Sequence, residues 1–245
     1  MFTDQPAPRF QTEKRHIILL PIGSCEQHGP YLPIDTDLRI ATLLAEQVTN
    51  LLSEDAVLLP ALPFSCSHEH RGLGTIALDI STVSAFVHNV ARSLKSWGVP
   101  SLLVLLNWHG GNDLLGALAT EITSTESLPC AAIPSTAQVG KAWDESGMTI
   151  AKDIHAGAIE TAIVRAYWPE LVAESIPQAA HCEPRISPAK VQPVLQAIGT
   201  YAATAQGIWG APEDADVNKG HELIEKLSRD ISVQITQLLE LVNNN

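Results

Sequence analysis

Three short segments of the 245-residue chain hold most of the residues that could do chemistry. The first is Gly23-Ser24-Cys25-Glu26-Gln27-His28-Gly29-Pro30, continuing to Asp35-Thr36-Asp37. The second is Asn107-Trp108-His109-Gly110-Gly111-Asn112. The third is Asp153-Ile154-His155-Ala156-Gly157, followed by Glu160-Thr161. Together they supply imidazoles and carboxylates, the donors that suit Zn²⁺, Mn²⁺ or Fe²⁺ without any thiolate. In an extended segment Glu26 and His28 project to the same side. Asp37, near a predicted helix start, could bridge two ions. The glycines after His109 let backbone approach closely. Two neighbouring divalent ions could hold a hydroxide and polarise a carbonyl at once.

Each piece alone has a plain structural reading. Glu26 and His28 could be a surface pair, and Asp37 an N-cap or dipole partner. His109 could cap a turn, and His155 and Glu160 could straddle a helix start with no shared target. The weight lies in their co-occurrence and in where the elements put them.

Those elements alternate. Residues 17–22 read as a buried strand running into Gly23-Ser24. Residues 38–52 read as a helix, 56–59 as a strand closed by Pro60 and Pro63, and 82–97 as a helix. Residues 101–106 form the clearest buried strand, followed by a helix over 114–122 and a strand over 131–133. A helix over 157–167 ends at Trp168-Pro169. The last helix, 219–241, carries Ile224, Leu227, Ile231, Ile235 and Leu238 as one apolar stripe. Alternation of this kind predicts an α/β fold with a mostly parallel central sheet covered on both faces. Ligands in such folds sit beyond the carboxyl ends of strands, and the three clusters fall at or near such ends. The segment 174–212, rich in proline, reads as an irregular excursion packed on the domain or on a neighbouring subunit. No repeat interrupts 1–245, which reads as a single domain.

Composition sets the remaining bounds. Fifteen basic and 27 acidic residues give a formal charge of −12, which argues against nucleic acid or anionic lipid as partner. Residues 1–16 lack an apolar core and read as no secretory signal. No apolar run approaches the roughly 18 residues that cross a membrane. Cys25, Cys66, Cys130 and Cys182 are scattered, as reduced cytosolic thiols are. Cys25 stands inside the first cluster, either as a nucleophile or as a small buried residue beside the site. The second reading is preferred. His16, His88, His181 and His221 read as structural, and His68 as surface or outer support.

The clusters together resemble the creatininase (creatinine amidohydrolase) family of metal-dependent amide hydrolases. The block Gly-Ser-x-Glu-Gln-His-Gly-Pro-x-Leu-Pro-x-x-Thr-Asp stands here as Gly23 to Asp37. Asn-x-His-Gly-Gly-Asn is Asn107 to Asn112, and His-Ala-Gly-x-x-Glu-Thr is His155 to Thr161. Weaker echoes are Ser67-His68-Glu69-His70 with Gly74-Thr75, and Gly207 to Pro212 with Lys219-Gly220.

The resemblance implies a three-layer α/β/α fold, a two-metal site and hydrolysis of a C–N amide bond in a linear amide, formamide or cyclic amide. It makes Glu26, His28, Asp37 and His109 metal ligands, with Asp37 bridging two divalent ions, zinc first and manganese or iron as alternatives. In creatininase proper a glutamate two residues after the second-block histidine completes the set. Here that position is Gly111, and Glu160 is expected to supply the missing carboxylate, with a catalytic share in the reaction. His155 is expected over the substrate as proton donor or acceptor. Trp108, Gly110, Gly111, His70 and Asp153 are expected to line the substrate, Asp153 also supporting Glu160.

Arg71-Gly72-Leu73 stands where many members have Phe-Pro. Asp153-Ile154 replaces the Trp-Asp of creatininase itself, and the loss of that aromatic and of the Tyr-Glu pair after the second-block histidine both speak against creatinine as substrate. Other branches act on pyrimidine formamides or clip a dipeptide from a precursor peptide. A catalytically silent binding protein is the remaining alternative. A small-molecule amide substrate and a homo-oligomer, a hexamer in particular, follow from the same resemblance, and the cysteine usage and the start of the chain lead to a cytoplasmic expectation.

Overall fold

The computed structural model describes residues 16–52, 56–72, 74–98, 101–145, 153–176, 191–204 and 206–244. In chain order the elements are β1 (Ile17–Ile22), α1 (Thr36–Leu52), β2 (Ala56–Leu58), α2 (Ile80–Ser96), β3 (Leu102–Asn107), α3 (Leu114–Thr125), β4 (Cys130–Ile133), α4 (Thr136–Glu145), α5 (Ala158–Tyr167), α6 (Val191–Ile198), α7 (Thr200–Ala203) and α8 (Val217–Asn243).

The strands pair in the order β2-β1-β3-β4, all parallel. Their apolar runs leave no face fit for water. In β1 all six residues, Ile17 to Ile22, are buried. Alternate side chains serve opposite layers, as the pleat requires. Ile17 and Leu19 join Leu102, Val104 and Leu106 against α1 and α8. Ile18, Leu20 and Ile22 join Leu103 and Leu105 against α2 and α3. This is the three-layer α/β/α arrangement expected from the sequence.

The strand order reverses at β1. From there one connection runs to β2 and the next crosses to β3, so the carboxyl ends of β1 and β3 flank a crevice. The loops Gly23–Asp35 and Trp108–Asp113 leave from those two ends.

Three expectations need correction. The third cluster does not follow a strand among the described residues. β4 runs into α4, a helix outside the expected elements, and the cluster arrives at the start of α5. It is held there by an antiparallel bridge from His155 to Trp209. The described part of 174–212 is not irregular throughout, because it contains α6 and α7. Pro193 lies in the first turn of α6, where its missing N–H removes no helical hydrogen bond. Pro184, Pro188, His181 and Cys182 lie outside the described residues. Finally, α8 begins two residues before the expected Lys219. Asp216 caps it by accepting from the backbone N–H of Asn218 and Lys219.

Helix α5, which carries Glu160, is fixed by its crossing with α8. Gly220 makes that crossing close: a Cβ there would lie 2.4 Å from the carbonyl oxygen of Ala162. Glycine to alanine inside a helix ordinarily adds up to about 1 kcal/mol of stability. Here backbone blocks the methyl, and overpacking of this kind costs about 1–3 kcal/mol. Gly220→Ala is therefore expected to lower the unfolding free energy by about 1 kcal/mol or more in urea titrations. A gain in stability would contradict the packing.

Candidate metal centre

The first cluster leaves β1 in a turn seated against α1. A Cβ on Gly23 would lie 2.4 Å from Leu38 Cα, so glycine lets the loop and the first turn of α1 touch. That contact brings Glu26 and His28 beside Asp37, and all three are fully buried. His28 Nδ1–H donates to the carbonyl of Glu26 at 3.1 Å. Its Nε2 is thereby turned inward, 3.4 Å from Asp37 Oδ1 and 3.6 Å from Glu160 Oε2.

His109 arrives from the end of β3. Its Nε2–H donates to the carbonyl of Cys66 at 2.9 Å. Its Nδ1 faces Glu26 Oε2 at 3.2 Å and Asp37 Oδ2 at 3.1 Å. Ser24 Oγ donates to the same Glu26 oxygen at 2.8 Å and bonds Ser67, whose hydroxyl lies 3.3 Å from His109 Nε2.

Glu160 enters from the first turn of α5. Its Oε2 accepts from Ala156 N–H at 2.7 Å, and its Oε1 accepts from Trp108 Nε1–H at 3.4 Å. The five residues expected as ligands therefore converge, with Asp37 in the middle and one of its oxygens directed at each imidazole.

Charge is crowded here. Burial disfavours a charged ring, yet Asp37 and Glu160 hold the pKa of His28 well above the ordinary histidine range. Burial is likewise overcome at His109, which Glu26 and Asp37 hold well above that range. Glu26 is held well below the usual carboxylate range by His109 and His70, against its own burial. Burial and Glu26 push Asp37 up. Glu160 falls to about 2, drawn down by His28 although burial opposes it. The carboxylates thus draw positive charge into the cluster.

A divalent cation fits this environment. Glu26 Oε1, His28 Nε2 and Asp37 Oδ2 are buried polar atoms with no hydrogen-bond partner among the described residues. Candidate ligand atoms of Glu26, His28 and Asp37, and of His28, His155 and Glu160, lie within 4.8 Å of one another. Imidazole and carboxylate are the donors such ions take.

The expected substrate-lining residues meet in a cavity of about 1270 Å³ over this cluster, together with Ile80, Leu114, Ile154 and Leu195. Trp108, His70 and His155 are buried at its floor, and Gly110 and Gly111 turn along its wall. Asp153 lines the cavity too, but its oxygen accepts from Ile159 N–H at 2.7 Å and no hydrogen bond joins it to Glu160. It anchors the start of α5, the helix that carries Glu160. A Cβ on Gly157 or Gly210 would strike the Asp153 carboxylate, so both glycines make room for it.

Two residues that the sequence reading left without a role belong to the site. Glu69 fills the space beside Gly111, with its Oε1 2.1 Å from where a Cβ of residue 111 would stand. It lies 3.6 Å from His109 Nε2. The lone signal was the missing side chain at Gly111. Gln27 sits under His70 and His155, and nothing beyond its place in the first cluster pointed to it.

Cys25 is a buried thiol whose pKa burial and Asp35 push up, as a non-nucleophilic neighbour requires. His16, His88 and His221 contact Ser101, Glu126 and Tyr167 away from the site, and His68 pairs with Asp79 at the rim.

Burial pushes the Asp153 carboxyl up to about 7. Between the ordinary aspartate pKa and that value the folded chain holds a proton that the unfolded chain has lost. Stability therefore falls as pH rises through that window. Asp153→Asn retains an oxygen for Ile159 N–H and carries no charge. Relative to the parent chain it is expected to gain on the order of 1–3 kcal/mol between pH 4.5 and pH 8 in parallel denaturation curves. A difference that does not change with pH would contradict this.

A family model described as creatininase, creatinine amidohydrolase, matches residues 4–235. The mycofactocin precursor peptide peptidase of Mycolicibacterium smegmatis is 29% identical over 216 residues, covering 86% of this chain and 81% of that protein. The creatinine amidohydrolase of Pseudomonas putida is 25% identical over 174 residues, 64% of this chain and 66% of that protein. A solved structure titled Creatininase Mn superposes with a TM-score of 0.72 at 20% identity, covering 97% of each chain.

Proposed function

The chain belongs to the creatininase family of hydrolases acting on C–N bonds, and from that premise we propose a dinuclear metal site and a peptide-type amide substrate. Glu26, Asp37 and His109 would hold one divalent ion, and His28, Asp37 and Glu160 the other, with zinc the first candidate and manganese or iron the alternatives. The observation that carries this is the pair of Asp37 oxygens, one facing each imidazole nitrogen, beside partnerless atoms of Glu26, His28 and Asp37. When bound, such a pair of ions polarises an amide carbonyl and makes water nucleophilic near neutral pH.

The chain's own residues then divide the remaining work. Ser24 and the Cys66 carbonyl hold Glu26 and His109 in place. Ala156 and Trp108 do so for Glu160. Such outer partners keep ligands oriented. His155 moves a proton between the attacking water and the leaving nitrogen. The backbone of Gly110 and Gly111, with His70, borders the acyl group.

Two observations favour a peptide-type amide over a small ring. The cavity, about 1270 Å³, exceeds the roughly 300–1,000 Å³ usual for small ligands. The mycofactocin precursor peptide peptidase covers more of this chain than the creatinine amidohydrolase does. A homo-oligomer, a hexamer in particular, and a cytoplasmic location belong to the same reading.

Mass spectrometric metal analysis of purified, reconstituted protein is expected to find two divalent ions per chain. Glu160→Gln is expected to retain about one and to lose at least about tenfold in hydrolysis of short peptide amides. Fewer than one ion in the parent chain would overturn the metal reading. A variant with both ions and full rate would overturn the assignment of Glu160. Creatinine turned over faster than every peptide amide would overturn the substrate class.

A further inference from the structure

Gln27 lies between two proposed ligands, yet its side chain points away from both and under a stack of imidazoles. The rings of His28 and His155 have centroids 4.4 Å apart, and those of His70 and His155 4.0 Å apart. The amide of Gln27 is oriented by two backbone groups of opposite character. The N–H of Gly29 donates to Oε1 at 3.0 Å. Nε2 donates to the carbonyl of Gly207 at 3.0 Å. Gly207, at φ +72°, leaves room for this, since a Cβ would lie 2.2 Å from Gln27 Oε1.

One amide hydrogen remains, and two ring nitrogens are within reach. His155 Nε2 lies 3.1 Å from Gln27 Nε2 and His70 Nδ1 lies 2.9 Å from it. His155 Nε2 is also 2.7 Å from the backbone carbonyl of Gln27, which can only accept. That nitrogen therefore carries its own proton and cannot take the amide's. The remaining amide hydrogen goes to His70 Nδ1, so His70 carries its proton on Nε2, facing Glu26 Oε1 at 3.4 Å. His155 is left with Nδ1 facing the same Glu26 oxygen at 3.6 Å.

We propose that Gln27 is a positioning residue that sets the tautomers of His70 and His155, holding both with the proton on Nε2 and none on Nδ1. The tautomers are fixed whatever the substrate. His155 Nε2 stays tied to the Gln27 carbonyl. His70, with Nδ1 occupied by the Gln27 amide, has no bare ring nitrogen to act as a base.

Neutron diffraction from crystals of the protein supplied with zinc and exchanged into heavy water reads this directly. Deuterium is expected on Nε2 of both rings and absent from Nδ1. Deuterium on Nδ1 of either ring overturns the proposal. Gln27→Glu provides a second reading. Its carboxylate can still accept from Gly29 but has no hydrogen for His70, so deuterium is expected to move to His70 Nδ1. A His70 proton that stays on Nε2 in the variant overturns the role of Gln27. If the variant does not fold, the map of the parent chain still decides. Metal analysis of the same preparation separates the two accounts. The expected deuterium pattern with no bound metal supports this inference while contradicting the metal reading, and two bound ions with a deuterated His155 Nδ1 do the reverse.

Discussion

Asp37 presents one carboxylate oxygen to His28 and the other to His109 in a place that water does not reach. Glu26 and Glu160 face the same two rings. Burying three carboxylates together is costly unless positive charge compensates them, because the interior solvates charge poorly. Two protonated imidazoles neutralise part of that charge and would then be unable to act as ligands. Divalent cations neutralise more of it and use the nitrogens as well. On this account part of the chain's −12 charge is the signature of a site made to hold cations.

The scaffold keeps those acids together. Parallel β1 and β3 register residue for residue from Ile17 with Leu102 to Ile22 with Asn107, so their loops start side by side. Core side chains on both faces hold the two strands rigidly under the site. The third contributor, α5, is not held by the sheet's hydrogen bonds. It is set by Gly220 against α8, by Asp153 at its first turn, and by the bridge between His155 and Trp209. A carboxylate from this separate element, Glu160, reaches to 3.6 Å from His28 Nε2.

Much of this was legible in the sequence because it rests on local patterns. Apolar runs marked β1 and β3, and a threefold and fourfold stripe marked α8. The Glu26-x-His28 spacing and the glycines after His109 marked the loops. What was not legible depends on contacts far apart in the chain. Helix α4 is ten residues long, and its apolar stripe of Val139, Ala142 and Trp143 spans little more than one turn. Asp153 looked like a polar neighbour of Glu160, and only the folded chain turns it onto Ile159 N–H. Glu69 stands 42 residues from Gly111 in sequence and beside it in space. Gln27 reads as one more polar residue until Gly29 and Gly207 fix its amide.

The central claim is that Asp37 lies between two cations. Anomalous diffraction at the zinc edge, from crystals grown with zinc, locates such ions without reference to activity. The account predicts two peaks on opposite sides of the Asp37 carboxylate, one bounded by Glu26 and His109 and the other by His28 and Glu160. A single peak, or a pair that leaves Asp37 uncoordinated, would contradict it.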